Sequence, residues 1–245
     1  MIHTEMQLET ADGRCEAHAY NPEGPGSRPA VLMYMDGIGM RPAMKEIAER
    51  IAGEGYYVLL PDLFYRVGYK AANPKTLFSD PVSRADFMTR VAPSASAANI
   101  MRDTEAYFAH FESQPRVKSG PIAITGYCIG GRLSMYAAGH FGDRVAAAAS
   151  YHGGGLATDA PDSPHRLAPR ITGRVYVAGA IEDGSFDDAQ KERLRRALTD
   201  ADVDFSLETY DARHGWVPAD TPAHDPVAAQ RHYQTLFNLL EETVR

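Results

Sequence analysis

Short apolar runs alternate along the chain with stretches of helical period. Residues 30–35, 56–60, 122–127, 145–151, 174–178 and 203–209 predict core strands. The first three are apolar at nearly every position, the pattern of parallel strands covered on both faces. An earlier stretch, about residues 5–20, predicts a hairpin that turns at Asp12-Gly13 and adds antiparallel strands at one edge. Between the strands, Met44, Ile47, Ala48 and Ile51 recur at helical spacing and stop before Gly53. Ala97, Ile100, Met101, Thr104, Tyr107, Phe108 and Phe111 form a wider stripe; Leu194, Ala197 and Leu198 form a third. The last helix carries Tyr233, Leu236, Phe237, Leu240 and Val244, with Asp225 as N-cap and Pro226 at its first position. This alternation predicts one α/β domain over residues 1–245: a mostly parallel central sheet with helices on both faces. Residues 64–93 keep neither period. That segment is expected to be an active-site cover or, equally, a surface excursion with one short helix.

Composition narrows the picture only a little. With 44% hydrophobic and 23% charged residues, the chain is neither disordered nor coiled coil, and a net charge of −7 argues against a nucleic-acid partner. No apolar run approaches the roughly 20 residues of a membrane span. The first residues lack the basic start and apolar centre of a signal peptide. Two cysteines, Cys15 and Cys128, cannot make a disulfide framework, so a reducing cytoplasm is the expected compartment. His-Glu-x-x-His and the usual zinc spacings are missing, so neither metal nor cofactor is expected.

Chemistry enters where the strand at 122–127 runs into Gly126-Tyr127-Cys128-Ile129-Gly130-Gly131. A β run, Gly-x-Cys-x-Gly and a helical stretch form a nucleophile elbow with cysteine in the serine position. The turn lifts the sulfur above the sheet edge and sets it at a helix N-terminus, which favours thiolate and can hold an oxyanion. The elbow calls for an acid and then a histidine further along the chain. His214, between the last strand and the last helix, fits as base. His140, His152, His165, His224 and His232 have no such setting and are expected to be surface or capping residues. The acid should end the strand at 174–178: Asp183 is preferred, and Glu182 stays open because one residue of slip exchanges them. The oxyanion is expected between the backbone N–H groups of Ile129 and Gly37. Tyr34, Phe64, Tyr127 and Trp216 are candidates for the pocket wall.

Four segments together resemble the dienelactone hydrolase family, over residues from about 30 to the last helix. They are Gly126-Tyr127-Cys128-Ile129-Gly130-Gly131, Gly53-Glu54-Gly55-Tyr56 through Pro61-Asp62-Leu63-Phe64, Ala180-Ile181-Glu182-Asp183, and Arg213-His214-Gly215-Trp216. The resemblance implies an α/β-hydrolase fold and favours Asp183 over Glu182. It also implies that Asp36, standing where the family has a glutamate, tunes or orients the thiol. The family's type enzyme holds its substrate carboxylate with an arginine four residues beyond the histidine. Pro218 stands at that position, which leaves Arg84 or Arg90 as carboxylate partners. The expected function is hydrolysis of a dienelactone- or butenolide-like ester or lactone through an acyl-cysteine, by a monomer or homodimer acting on a small molecule, without a membrane partner. The alternatives are a general short-chain carboxylesterase or thioesterase, and a non-catalytic ligand-binding or thiol redox-sensing protein.

Overall fold

The computed structural model describes residues 1–245, and in it eight strands join in one sheet. They are β1 (Ile2–Thr10), β2 (Gly13–Asn21), β3 (Ala30–Tyr34), β4 (Tyr57–Pro61), β5 (Ile122–Tyr127), β6 (Val145–Tyr151), β7 (Arg174–Ala180) and β8 (Phe205–Tyr210). Their spatial order is β1-β2-β4-β3-β5-β6-β7-β8. The β1–β2 and β2–β4 pairs are antiparallel, and β3 to β8 run parallel. Every residue of β3, β4 and β5 is buried, so both faces of the sheet are covered there. The edge hairpin is longer than its alternation suggests. Thr10 pairs with Gly13, which puts the turn at Ala11-Asp12 and lets Gly13 open β2 at a φ of 128°.

Helix α1 (Pro42–Gly53) buries Met44, Ile47, Ala48 and Ile51, the stripe its spacing predicts. Residues 64–93 prove half helical: after a 3₁₀ turn at Tyr65–Val67, α2 (Pro81–Asp86) runs through a π-turn at Phe87–Val91 into α3 (Ala92–Ser94). Prolines at 81 and 93 and only two buried residues, Phe87 and Val91, hide that run from a periodicity search. The remaining helices are α4 (Ala97–Ser113), α5 (Ile129–Phe141), α6 (Asp188–Asp200) and α7 (Pro226–Thr243). Asp225 caps α7 by accepting from the N–H groups of Val227 and Ala228. One continuous apolar core of 67 buried residues reaches from Cys15 to Val244.

The strand order locates the site. From β3 the chain crosses to β4 on one side and later returns to β5 on the other. The carboxyl ends of β3 and β5 therefore flank the point where winding reverses, the crevice in which open α/β sheets bind ligands.

Candidate active site

Cys128 follows β5 directly and precedes α5, with φ 56° and ψ −116°. A non-glycine residue in that region is strained, and its neighbours must hold it. Its backbone N–H does so by reaching both the Tyr151 carbonyl and Nδ1 of His152, each at 3.1 Å. The sharp turn also needs bare glycine on either side. A Cβ on Gly126 would stand 2.1 Å from the Gly130 carbonyl oxygen, and one on Gly130 would stand 2.4 Å from that of Tyr34. Glycine at both positions thus lets α5 start hard against the ends of β5 and β3.

His214 and Asp183 come from the loops after β8 and β7. Nδ1–H of His214 donates to Oδ2 of Asp183 at 2.8 Å, which leaves Nε2 free of that contact. The other Asp183 oxygen accepts from the Ser185 N–H at 2.9 Å and the Ser185 hydroxyl at 2.6 Å. Burial opposes the charged form of Asp183, but these hydrogen bonds from His214 and Ser185 outweigh it and bring the pKa down to about 2. Burial likewise opposes imidazolium at His214, yet Cys128 and Asp183 push its pKa up to about 10. Glu182 turns outward and pairs with Arg213 at 3.6 Å, so of the two acids only Asp183 meets His214.

Cys128 and His214 line one cavity of about 390 Å³. Asp36, Gly37 and Ile38 form its wall after β3, and Thr221, Pro222 and Ala223 form the wall beyond His214. Pro74, Lys75, Phe78 and Ser79 reach over from the irregular segment, which thereby acts as the cover. Neither the Gly37 nor the Ile129 N–H donates to any protein acceptor, as an oxyanion site requires. A larger depression of about 640 Å³, bounded by Phe108, Lys118 and Arg144, opens near the other end of β5 and β6 and is lined by neither cysteine nor histidine.

Several expected roles fall elsewhere. Both Asp36 oxygens are taken by Arg41, at 2.6 and 2.8 Å, and Oδ1 also accepts the Ile38 N–H at 3.0 Å. Asp36 therefore shapes the loop that carries Gly37 and makes no hydrogen bond to the thiol. Arg41 continues to Asp220 at 2.7 and 3.1 Å, tying the walls on either side of the cavity together. None of the six candidate substrate contacts, Tyr34, Phe64, Tyr127, Trp216, Arg84 and Arg90, lines the cavity. Tyr34 bonds Thr104 at 2.6 Å and Tyr127 bonds His232 at 2.9 Å inside the core. Phe64 packs edge-on against Phe87, and Trp216 stacks on Tyr210. Aromatic side chains at the ends of central strands are taken up by packing against the covering helices. Arg84 is exposed on α2, and Arg90 is paired with Asp86 at 2.7 Å. Apart from the histidines, the basic side chain on the cavity wall is Lys75, which makes no ion pair.

His152, His165 and His232, expected as surface or capping residues, are buried, at 1%, 9% and 0% exposure, and His152 lines the cavity beside Cys128. The signal for His152 was its place: first after an apolar strand and followed by three glycines, where the carboxyl ends of the sheet gather.

Comparison with known proteins agrees with this architecture. A family model described as the dienelactone hydrolase family matches residues 15–244. The carboxymethylenebutenolidase of Pseudomonas sp. (strain P51) is 30% identical over 222 residues, covering 89% of this chain and 86% of its own. Among solved structures, the dienelactone hydrolase-like promiscuous phosphotriesterase P91 from metagenomic libraries superposes with a TM-score of 0.77 at 23% identity, covering 100% of both chains. The dienelactone hydrolase from Anabaena variabilis ATCC 29413 does so with a TM-score of 0.70 at 16% identity, covering 100% of this chain and 99% of its own. At such identities these two likenesses speak for the fold.

Proposed function

The chain belongs to the dienelactone hydrolase family, hydrolases of lactones and esters, and we propose that it works through an acyl-cysteine formed on Cys128. The observation that carries this reading is the 2.8 Å contact of Asp183 with His214, which lines the same cavity as Cys128 on its strained strand-to-helix turn. The Cys128 thiolate attacks the carbonyl carbon, and the oxyanion is held by the N–H groups of Ile129 and Gly37. Collapse forms the thioester and breaks the C–O bond, and His214 gives its proton to the departing oxygen. His214 then takes a proton from water, which attacks the thioester, releases the carboxylic acid and restores the cysteine. Asp183 holds the tautomer of His214 and stabilises its charged form throughout. Ile38, Phe78 and Pro222 supply apolar wall for the acyl part, and Lys75 is the group a substrate carboxylate would meet.

The test compares the protein with Cys128→Ala on a dienelactone, a neutral butenolide and a short nitrophenyl ester. Turnover is expected to vanish in the variant, and mass spectrometry is expected to find the acyl group on Cys128 in the parent. Preference for the dienelactone over the butenolide would point to Lys75 in place of an arginine after His214. Turnover that survives in Cys128→Ala would sink the assignment, and a protein inert toward the whole panel would argue for thiol sensing instead.

A further inference from the structure

His152 carries features that the catalytic triad does not use. It stands just after β6 with a φ of 41°, and its backbone N–H donates to the Ala178 carbonyl at 2.9 Å. Its side chain is buried, and Nδ1 accepts the Cys128 N–H at 3.1 Å. An accepting nitrogen bears no proton, so the neutral ring carries its proton on Nε2. Burial first, and then the imidazoles of His214 and His232, push the pKa of His152 well below the ordinary range and keep the ring neutral. Nε2 is buried without a partner, although the ring lines the cavity with Cys128 and His214. Trp216, edge-on at 4.9 Å, offers no relief because its own N–H also lacks a partner. Buried donors are rarely left without an acceptor, and the cavity that this residue lines is the place a substrate occupies.

The position of the ring says which substrate atom it meets. The His152 and His214 ring centroids are 5.1 Å apart. In the acyl-cysteine mechanism, on which this inference rests, His214 faces the oxygen that leaves. We propose that His152 is a substrate-binding donor whose Nε2–H takes the single-bonded oxygen of the ester or lactone, beside the proton that His214 delivers. His152 gives up no proton itself: the alcohol leaves with the one from His214. As negative charge grows on that oxygen the contact strengthens, so it favours the transition state over the bound substrate. Sulfur is a weak acceptor, so this donor also makes the site prefer oxygen esters to thioesters.

Two variants separate the ring's nitrogens. His152→Asn keeps an acceptor near the Nδ1 position for the Cys128 N–H and removes the distal donor. His152→Gln restores an N–H near the Nε2 position. With phenyl acetate, His152→Asn is expected to lose roughly 10- to 100-fold in kcat/KM, against about threefold or less with S-phenyl thioacetate. Alkylation of Cys128 by iodoacetamide should keep its parent rate, and His152→Gln should regain part of the ester activity. The ester-to-thioester ratio does not depend on how much of a variant folds, so a poorly folding protein still reports. Equal losses on the two substrates, alkylation that slows in step with turnover, or an unimpaired His152→Asn would each overturn the proposal while the parent's turnover upholds the hydrolase. A parent inert toward both substrates would remove the acyl-cysteine reading and this one with it.

Discussion

Asp183 and Glu182 differ by one position and have opposite surroundings. Asp183 meets His214 and Ser185, whereas Glu182 is exposed beside Arg213. Asp183→Asn is expected to lower kcat by about 10³- to 10⁴-fold, because the amide no longer holds the imidazole in the working tautomer. Glu182→Gln should leave kcat within about twofold, the usual result at an exposed ion pair; the reverse ranking in steady-state kinetics would move the acid. The two cysteines diverge in the same way. Burial pushes Cys15 up to about 12, while Cys128 opens on the cavity beside a histidine pushed up to about 10. At pH 6, iodoacetamide should label Cys128 and spare Cys15. His214→Ala should slow labelling roughly tenfold or more, since it removes the positive charge beside the sulfur; an unchanged rate would show that the histidine leaves the sulfur alone.

Single elements bring the groups together, but two loops set their spacing. The loop after β3 carries Asp36 and Gly37, the loop after His214 carries Asp220, and the side chain of Arg41, 5% exposed, spans the two. Arg41→Met leaves the Asp36 carboxylate buried without its cation, which costs about 3–5 kcal/mol by the usual measure of a broken buried pair. Arg41→Met combined with Asp36→Leu should recover a good part of that loss, because no lone charge remains. Urea midpoints for the three proteins decide the point, provided the slopes agree. A double variant no better than Arg41→Met would mean that the bridge acts through its geometry alone. The cover illustrates what periodicity misses. Its helical run needs only Phe87 and Val91 against the body of the protein, so α2 and α3 show no apolar stripe. The longer helices α1, α4 and α7 bury wide stripes, and those were readable in advance.

For the molecule as a whole, buried histidines govern the response to acid. Burial holds His232 down to about 3, and with its neighbours it holds His152 well below the usual 6.5. The unfolded chain takes up these protons as pH falls below 6.5; folded His152 refuses its proton well below that, and folded His232 until about 3, so stability drains away as pH falls. Asp183, brought down to about 2, adds stability that is whole above 3.8 and is lost as pH falls through 2. His214, raised to about 10, adds stability that is whole below 6.5 and fades as pH climbs through 10. Urea midpoints should therefore peak near neutrality and fall between pH 7 and pH 4, with His232→Gln falling less steeply. A variant that tracks the parent over that range would remove His232 from the account.

What the chain's own order of residues determined is what depends on local chemistry. Apolar runs marked the central strands, spacing marked the long helices, and Gly-x-Cys-x-Gly between a strand and a helix marked the turn at Cys128. The order acid then histidine pointed to Asp183 and His214, with Glu182 left open until the loop's path was visible. Tertiary structure alone decided the partners of Asp36, the burial of His152 and the absence of Tyr34, Phe64, Tyr127 and Trp216 from the cavity wall. Each of these depends on which segments the sheet order brings side by side. Arg41 meets Asp220 only because the carboxyl ends of parallel strands gather at one edge, and His152 meets Cys128 because β6 lies beside β5. Local pattern specifies elements because each element satisfies its own backbone and presents one face. Contacts between loops follow from packing across the whole chain, and no local pattern records them.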